Sequence, residues 1–439
     1  MPPWSVSVCN KHVRKTGIVM LTDLENDFLC NTDAGTPMGN LMRRFWIPAV
    51  LSEELPGPDC DPVRVTLLGE KLIAFRDTNG DVGLIDNFCP HRRASLFFGR
   101  NEECGLRCVY HGWKFDVNGD CVDMPSEPAE SNFKDKVKII AYPCVEKGDI
   151  VWAFMGPQDK IAELPQMEWM DVPAENRRIA KLVYECNYVQ SMEGEIDTTH
   201  AAMLHSRLDS LEKAATATSL GGKYQYPDKA ARFFVSDEDH GLLIGARRNA
   251  EEDSYYWRIS RWLYPFYSMI PREPHGTTRC GIWYPMDNEN TWVVLILWHK
   301  DRPPTEDESR EINACRDLIP GTWYPKQNLS NDYMIDREVQ RTETYTGIPN
   351  NSGRAQDSAM METMGKLIDR THEHLGTSDT AIIAMRKTLA KAARDLQEGI
   401  EPYAATHGDV YKVRSGGALL PRDVFFSDDK EVWDDITVS

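Results

Sequence analysis

The chain has 439 residues, of which 68 are acidic and 50 basic, so its formal net charge is −18. This excess of negative charge disfavours nucleic acid and other polyphosphates as partners. Hydrophobic residues make up 41% and aromatic residues 10%, which excludes wholesale disorder and a fibrous repeat. The best apolar run, Trp292 to Trp298, has the length of a buried strand and is far shorter than a membrane span. We therefore expect a soluble protein with no membrane partner and two or three domains.

The N-terminal segment differs from the rest of the chain. Residues 1–19 carry basic side chains but no acid, whereas a helix capped by Thr22 or Asp23 is predicted soon after Met20. We expect residues 1–19 to be a dispensable leader, with a short targeting segment as the alternative. Residues 1–44 would then form a leader and a helical arm. The 11 cysteines are scattered, odd in number and not preceded by a signal peptide, which indicates reduced thiols and a cytoplasmic location.

A succession of short β-like runs follows the arm, separated by turn signals such as Thr78-Asn79-Gly80-Asp81. The runs are Val63 to Leu68, Leu72 to Arg76, Val82 to Asp86, Val137 to Pro143 and Ile150 to Met155. They predict a small, mostly antiparallel β domain, which we place at residues 45–160.

A proline-punctuated linker leads into a second domain, placed at residues 161–439, which opens with a strand that runs into a helix at Ile179 to Tyr188. Its further predicted strands are Gly241 to Arg247, Tyr255 to Leu263, Cys280 to Tyr284 and Thr291 to His299. Its predicted helices are Glu193 to His205, Ser358 to His374 and Asp379 to Gln397. Gly376 is the expected C′ residue of the second of these helices. The predicted fold class is α+β.

Two short Cys/His pairs lie in the β domain. Cys89-Pro90-His91 is followed, after 16 residues, by Cys108-Val109-Tyr110-His111. A [2Fe-2S] cluster with two cysteines on one iron and two histidines on the other takes one ligand of each kind from each of two loops. The pairs therefore indicate such a cluster, held by Cys89, His91, Cys108 and His111. A Cys2His2 zinc site is the alternative, although zinc sites more often group like ligands within one arm.

A second set of ligand types lies between Asn187 and His205, in the segment NYVQSMEGEIDTTHAAMLH. On an ideal helix Asp197 and His200 share a face, but the five-residue spacing puts His205 about 140° from His200. Both imidazoles can reach one metal only if the helix is widened or broken, and we predict a π-like turn between them. Two histidines and a carboxylate form the facial triad of non-haem Fe(II) oxygenases. Two ordinary half-buried helix histidines are the alternative.

These motifs resemble those of a known family. His91-Arg92-Arg93-Ala94 and Tyr110-His111-Gly112-Trp113 resemble the Rieske centres of aromatic-ring-hydroxylating oxygenases, and D-x-x-H-x4-H resembles the mononuclear-iron signature of that family. The resemblance implies that His200 and His205 bind iron. It also implies that Asp197 is a hydrogen-bonding bridge toward a Rieske histidine of a neighbouring subunit. Asn187 matches a supporting position of the signature, with a helix-end contact as the alternative.

The family places the third iron ligand far downstream, where an aspartate precedes a glutamate by five residues. The run QDSAMME matches this pattern, so the resemblance implies Asp357 as the ligand, and Glu362 as a supporting or surface residue. Asp357 also stands where a helix would begin, which leaves an N-cap role as the alternative.

The resemblance extends over nearly the whole chain from Met20 and is closest to the phthalate dioxygenase branch. It is carried by four long runs: PMGNLMRRFWIPAVLSEELP, CPHRRASLFFGRNE, LRCVYHGWKFDVNGDCVDMPSEP and DRTHEHLGTSDTAII. The implied fold is an N-terminal Rieske [2Fe-2S] β domain followed by a helix-grip-like catalytic domain with an antiparallel sheet and helices. The implied substrate is an aromatic carboxylate of the phthalate type, as for phthalate 4,5-dioxygenase, with chlorobenzoate, isophthalate and phenoxybenzoate as alternatives.

An aromatic carboxylate needs a cation in its pocket, and a bidentate arginine suits it best. Arg207 follows a predicted iron ligand by two residues, while Arg258 and Arg261 lie on a predicted strand beside the cavity. These three are our candidates for the substrate carboxylate, with a surface ion pair as the alternative for each. Arg247 and Arg248 border a turn, so we expect them to be exposed.

The resemblance implies a route for electrons. They pass from NADH to a separate flavin/iron–sulfur reductase, then singly to the cluster and on to the mononuclear Fe(II), where O2 is activated and a cis-dihydrodiol forms; monooxygenation or ether cleavage is the alternative on other substrates. No Gly-rich dinucleotide fingerprint precedes a helix, so NADH is not expected to bind this chain. The resemblance also implies a head-to-tail homotrimer, or a hexamer of stacked trimers. A Rieske electron-transfer protein without oxygenase activity and a zinc-stabilised binding module stay open as other classes.

Overall fold

In the computed structural model, residues 20–271, 273–349 and 354–438 are described, and the prediction about residues 1–19 lies outside them. The fold class is α+β, as predicted, with four antiparallel sheets. Within the described residues, no helix has both the length and the hydropathy needed to cross a bilayer.

The N-terminal arm consists of α1 (Asp23–Cys30) and α2 (Pro37–Met42). The predicted cap at Thr22 is confirmed, since its hydroxyl accepts from the Glu25 N–H while the Glu25 carboxylate accepts from the Thr22 N–H. This reciprocal pair satisfies two backbone donors that the helix itself cannot. Because α1 buries Leu29 and Cys30 and contacts α3 and α10, the arm packs onto the second domain.

The β domain is built from three small sheets. Its strands are β1 (Trp46–Leu51), β2 (Val63–Leu67), β3 (Glu70–Arg76), β4 (Val82–Asp86), β5 (Arg100–Asn101), β6 (Leu106–Arg107), β7 (Lys114–Phe115), β8 (Cys121–Asp123), β9 (Ala141–Tyr142), β10 (Cys144–Lys147) and β11 (Ile150–Phe154). The sheet orders are β1-β11-β10, β2-β3-β4-β9 and β5-β6-β7-β8. The predicted strand Val137 to Pro143 is reduced to β9, because only Leu84 and Ile85 of β4 pair with it.

The second domain is organised by one long sheet. Its strands are β12 (Arg177–Tyr184), β13 (Arg232–Glu238), β14 (Gly241–Asn249), β15 (Ser254–Leu263), β16 (Tyr267–Met269), β17 (Thr278–Pro285), β18 (Thr291–Trp298) and β19 (Gly416–Pro421). Their order is β12-β18-β17-β16-β15-β14-β13, with β19 paired to β15. The strands predicted after the first one are confirmed within two residues at each end, whereas β13, β16 and β19 were not predicted. Every residue of β18 is buried, as its continuous apolar run requires.

The second domain also contains helices, and their observed bounds correct the prediction. They are α3 (Tyr188–Ile196), α4 (Ala201–Leu204), α5 (Ser210–Ala214), α6 (Leu220–Tyr224), α7 (Glu306–Ala314), α8 (Arg337–Thr342), α9 (Ala355–Thr363), α10 (Thr380–Gln397), α11 (Tyr403–Thr406) and α12 (Lys430–Asp435). The predicted helix Ser358 to His374 is wrong, because α9 ends at Thr363 and Gly365 takes a positive φ of 94°. Gly365 thus ends the helix in the place given to Gly376.

Candidate metal centres

The two Cys/His pairs lie in matching turns of the β domain. The Cys89 N–H donates to the Ala94 carbonyl at 2.9 Å, and the Cys108 N–H donates to the Trp113 carbonyl at 2.8 Å. In the second turn Gly112 has a φ of 80°, and a Cβ there would lie 2.6 Å from a proline side chain. Glycine is therefore required at that position by both backbone conformation and space.

These turns bring four potential ligands together. The cysteines are buried, with 1% of Cys89 and 2% of Cys108 exposed, and the imidazole rings of His91 and His111 lie 4.4 Å apart. His91 stacks on Trp113, and its Nδ1 is buried without a hydrogen-bond partner among the described residues. Burial and the neighbouring Cys108 raise the pKa of the Cys89 thiol to about 11. Two thiols and two imidazoles brought together in this way fit the donor set of a Rieske cluster, and the free Nδ1 of His91 is available as a ligand atom.

The predicted π-like turn between His200 and His205 is wrong. The helix is interrupted before His200: α3 ends at Ile196, and Asp197 takes an extended conformation (φ −69°, ψ 107°). The Asp197 carboxylate accepts from the Thr199 N–H at 2.7 Å and from the His200 N–H at 3.3 Å, which starts a new turn. The chain from there to His205 is the short α4 and includes no π turn. His200 and His205 stand at the two ends of α4, as its N-cap and C-cap residues, and their ring centroids lie 5.3 Å apart.

The structure brings the two histidines to Asp357. Asp357 Oδ1 lies 3.5 Å from His200 Nε2 and 3.1 Å from His205 Nε2. One ligand atom from each of the three side chains lies within 4.8 Å of the other two. Asp357 stands in the first turn of α9, whose N-cap is Arg354, so the alternative N-cap role of Asp357 is wrong. Two imidazoles and one carboxylate at these distances fit the donor set of a mononuclear Fe(II) site with open positions.

The other ring nitrogen of each histidine faces a side-chain oxygen, and of the two only that of His205 forms a hydrogen bond among the described residues. His200 Nδ1 lies 3.4 Å from Asp197 Oδ2, and His205 Nδ1 lies 2.8 Å from Gln356 Oε1. The Gln356 amide nitrogen donates to Thr346 Oγ1 and to the Ile348 carbonyl, so the amide oxygen is the atom that faces His205. The proton of His205 is therefore assigned to Nδ1, which leaves Nε2 as the ligand atom. Our sequence analysis missed Gln356, although it adjoins Asp357 in the matched run.

The electrostatics of this site favour a cation. Burial alone would lower the pKa of His200, but Asp197 and Asp357 raise it to about 10. Burial opposes ionisation of Asp357 too, yet the two histidines hold its pKa well below the ordinary range. Because a metal ion replaces the protons on the imidazoles, the same carboxylates that attract those protons also attract the metal.

Asn187 and Glu362 have structural partners that the sequence did not reveal. Asn187 caps α3, and its amide nitrogen donates to the Cys30 carbonyl at 3.1 Å and the Asn288 carbonyl at 2.8 Å. These contacts, none of which reaches the three ligand side chains, correspond to the helix-end alternative. Glu362 is buried and accepts from the Glu185 N–H and the Tyr333 hydroxyl, and burial raises its pKa to about 7.

Two of the three candidate arginines are not brought to the site. Arg207 is exposed and forms ion pairs with Asp209 and Glu343. Arg261 is 2% exposed and donates to the carbonyls of Arg414 and Ile436. The predictions of a substrate role for Arg207 and Arg261 are therefore not supported, because an ion pair occupies the first guanidinium and buried carbonyls occupy the second.

Arg248 is placed differently from the sequence prediction. It is 1% exposed, and its Nη2 donates to the Thr198 carbonyl at 3.0 Å, next to Asp197. The expected exposure is wrong because the segment between α3 and α4 covers this end of β14. Nη1 of Arg248 is buried without a hydrogen-bond partner in the described part of the chain. Burial and the charge of Arg258 lower the pKa of Arg248 to about 10.

Arg258 lies beside Arg248. Ala246 of β14 pairs with Arg258 of β15, and Arg248 pairs with Tyr256, so both arginines point to the same face of the sheet. Trp262, on this same face of β15, donates to the sulfur of Met192 in α3, so α3 lies on this face. Arg258 is half-buried, and its Nε also lacks a hydrogen-bond partner among the described residues. Within those residues, neither arginine forms an ion pair with a carboxylate.

Comparisons with known proteins agree with both centres. Residues 45–143 match the model of the Rieske [2Fe-2S] domain, and residues 153–432 match the model described as LigXa C-terminal domain like. The chain is 40% identical to the phthalate 4,5-dioxygenase oxygenase subunit of Pseudomonas putida, over 87% of this chain and 88% of that one. It is 37% identical to the 3-chlorobenzoate-3,4-dioxygenase oxygenase subunit of Comamonas testosteroni, over 91% of this chain and 95% of that one.

A solved structure agrees with the fold. The NdmA QL mutant of Pseudomonas putida CBB5 with theobromine has a TM-score of 0.57 and 16% identity and covers 89% of this chain and 100% of that one. The cofactors are accordingly a [2Fe-2S] cluster and mononuclear iron, with O2 as co-substrate, which excludes the zinc alternatives. The chain belongs to the Rieske non-haem iron aromatic-ring-hydroxylating oxygenases, as an oxygenase subunit of the phthalate dioxygenase branch.

Proposed function

We propose that this oxygenase cis-dihydroxylates an aromatic carboxylate of the phthalate type, with electrons that reach it from NADH through a separate reductase. The observation that carries the substrate class is the pair Arg248 and Arg258 on the sheet face covered by α3. Two guanidinium groups without a carboxylate partner in the described residues leave uncompensated positive charge in a protein of net charge −18. A substrate carboxylate supplies the missing countercharge and the acceptors for their unpaired N–H groups.

The proposed cofactor ligands follow the geometry. Cys89, His91, Cys108 and His111 would hold the cluster, and His200, His205 and Asp357 would hold the iron. When bound, the cluster supplies single electrons and the iron activates O2. Of the supporting side chains, Gln356 keeps His205 in one tautomer and Asp197 lies beside Nδ1 of His200. The two arginines would hold the substrate carboxylate.

The names of the two relatives support an aromatic carboxylate as the substrate but do not identify which one. Phthalate and 3-chlorobenzoate, the compounds in the names of the two relatives, are both aromatic carboxylates. Isophthalate and phenoxybenzoate carry the same group. We therefore propose the phthalate type as the substrate, with the other three as alternatives for the same arginine pair.

A turnover screen tests the proposal. The full-length protein with a matching NADH-dependent reductase is given phthalate isomers, benzoate, halobenzoates, phenoxybenzoate and the corresponding amides. We expect NADH- and O2-dependent cis-dihydrodiol formation from at least one carboxylate and far less from its amide. Loss of one charge-assisted contact, about 1.5–3 kcal/mol, should lower kcat/KM of Arg258→Met for that carboxylate roughly 10- to 100-fold.

The matched control is Arg207→Met, which removes an exposed, ion-paired arginine and should leave kcat/KM unchanged. Equal turnover of acids and amides, or equal losses in the two variants, would contradict a carboxylate-binding role for Arg258. Oxidation of NADH without any oxygenated product on the whole panel would contradict the proposed substrate class.

A further inference from the structure

A buried guanidinium lies directly behind the proposed iron site. The side chain of Arg354 is 8% exposed and meets carboxylates from three elements. It forms a short ion pair with Glu195 of α3, and its Nε lies 3.5 Å from Glu311 of α7. Its Nη1 lies 3.6 Å from Asp357 Oδ2. A guanidinium keeps its charge at any physiological pH, so Arg354 is a permanent cation here.

The two oxygens of Asp357 consequently have different surroundings. Oδ1 faces both histidines, at 3.5 Å from His200 Nε2 and 3.1 Å from His205 Nε2. Oδ2 faces Arg354. A carboxylate that is attracted at one oxygen by a fixed cation cannot rotate without losing that attraction, so Oδ1 stays directed at the imidazoles.

Arg354 also joins the two segments that supply the ligands. Glu195 stands in the last turn of α3, five residues before His200, and Arg354 caps α9, three residues before Asp357. The ion pair between Glu195 and Arg354 therefore connects the end of the first segment to the start of the second. Because both side chains are buried, their attraction is only weakly screened by solvent.

We propose that Arg354 is a positioning residue for the iron site, which holds Asp357 Oδ2 and, through Glu195, sets the separation between Asp357 and the two histidines. This inference rests on the ligand set proposed above. A planar guanidinium can contact Glu195, Glu311 and Asp357 at once from separate N–H groups. A lysine keeps the charge but has a single nitrogen, so it cannot reproduce that fork.

The experiment measures metal affinity rather than turnover. The full chain with its cluster, stripped of mononuclear iron, is titrated with Ni²⁺, which binds imidazole sites more tightly than Fe²⁺ does. Arg354→Lys should weaken Ni²⁺ binding roughly 10- to 100-fold, the usual effect of losing an outer partner of a metal ligand. Melting temperature and the visible spectrum of the cluster establish that the variant is folded. If Arg354→Lys does not fold, the double variant Arg354→Gln with Glu195→Gln replaces the ion pair by neutral amides and should show the same weakening.

A double-mutant cycle distinguishes positioning from general loosening. In an Asp357→Ala background, Arg354→Lys should change Ni²⁺ affinity no further, because its effect passes through Asp357. Arg370→Lys is the matched control, since Arg370 is also buried and paired with a glutamate of α3, Glu193, and it should leave the affinity unchanged.

The results that would contradict the positioning role differ from those that would contradict the ligand set. Unchanged affinity in Arg354→Lys, a further loss in the Asp357→Ala background, or an equal loss in Arg370→Lys would overturn the positioning role alone. An Asp357→Ala variant that binds Ni²⁺ as tightly as the unmodified protein would overturn the ligand set, and this inference with it.

Discussion

Asp197 shows how much one side chain contributes at this site. Its carboxylate accepts from two backbone N–H groups, of Thr199 and His200, and lies 3.4 Å from His200 Nδ1. Burial would raise its pKa, but His200 and these N–H groups lower it overall. About a fifth of the side chain, 22%, is nonetheless exposed. Asp197 is thus an ionised group with one side toward His200 and another open to solvent, as the proposed bridge to a neighbouring subunit requires.

We predict that Asp197→Asn leaves both metal centres occupied but lowers product formation roughly 100-fold, since the amide keeps the shape of the carboxylate but not its charge. The measurement is a single-turnover experiment in which the cluster is reduced in advance. We expect the cluster to be reduced normally in that first step. It should then stay almost fully reduced after O2 and substrate are added. Asp209→Asn, at a half-buried aspartate with ion-pair partners of its own, is the control, and a normal rate in Asp197→Asn would rule out the bridge.

At the scale of a structural element, the turn between β13 and β14 contains a buried imidazole. His240 is 5% exposed, and Nη1 of Arg261, on β15, donates to its Nε2 at 3.3 Å. Burial and the charge of Arg261 lower the pKa of His240 to about 3. His240 is therefore neutral in the folded protein, whereas in the unfolded chain it takes up a proton near its ordinary pKa of 6.5.

This difference predicts a pH dependence of stability. Because the unfolded chain binds the proton more tightly, the contribution of His240 is fully present above pH 6.5 and is lost as the pH falls toward 3. Between pH 7.5 and 5 the loss amounts to about 2 kcal/mol in the free energy of unfolding. Urea unfolding at both pH values measures it. In His240→Gln the dependence should shrink by that amount, whereas His275→Gln, at an exposed histidine, should behave like the unmodified protein.

At the scale of the whole molecule, the two metal centres belong to different domains of one chain. The family resemblance implies that each cluster serves the iron of a neighbouring subunit, and we propose a head-to-tail trimer or a hexamer of stacked trimers on that basis. A heterologous interface of this kind closes only with cyclic symmetry. The exposure of Tyr110, 55%, and Val109, 59%, in the second cluster turn leaves surface there for such an interface.

We predict that a mixture of subunits with Cys108→Ser and subunits with His200→Ala recovers part of the activity when they are assembled together. Each variant alone should be inactive, because one lacks the cluster and the other lacks an iron ligand. Turnover of co-expressed, doubly tagged assemblies measures the recovery. Inactive mixed assemblies in which each variant keeps its remaining metal would show that electrons travel within one chain.

Local sequence was sufficient where a feature depends on neighbouring residues. The Cys/His spacing indicated the cluster ligands because each pair lies within a single tight turn. The strand Val82–Asp86 was predicted with its bounds, since alternation and turn signals are local. The two histidines of the proposed iron site were also singled out, but the conformation that joins them was not predicted. The prediction assumed one continuous helix from Glu193 to His205, whereas the Asp197 carboxylate accepts from the backbone and ends α3 before His200, which leaves His200 and His205 at the two ends of the short α4.

Only the tertiary structure decided which charged side chains serve the site. A position beside a turn suggested that Arg248 is exposed, yet the chain between α3 and α4 buries it. Arg207, two residues after His205 in sequence, is exposed instead. The pair Glu195 and Arg354 is separated by 159 residues, and Gln356 is 151 residues from His205. Such contacts depend on how distant elements pack, and no periodicity or spacing in the chain encodes the partner, so the chemistry of the ligands was predictable and their support was not.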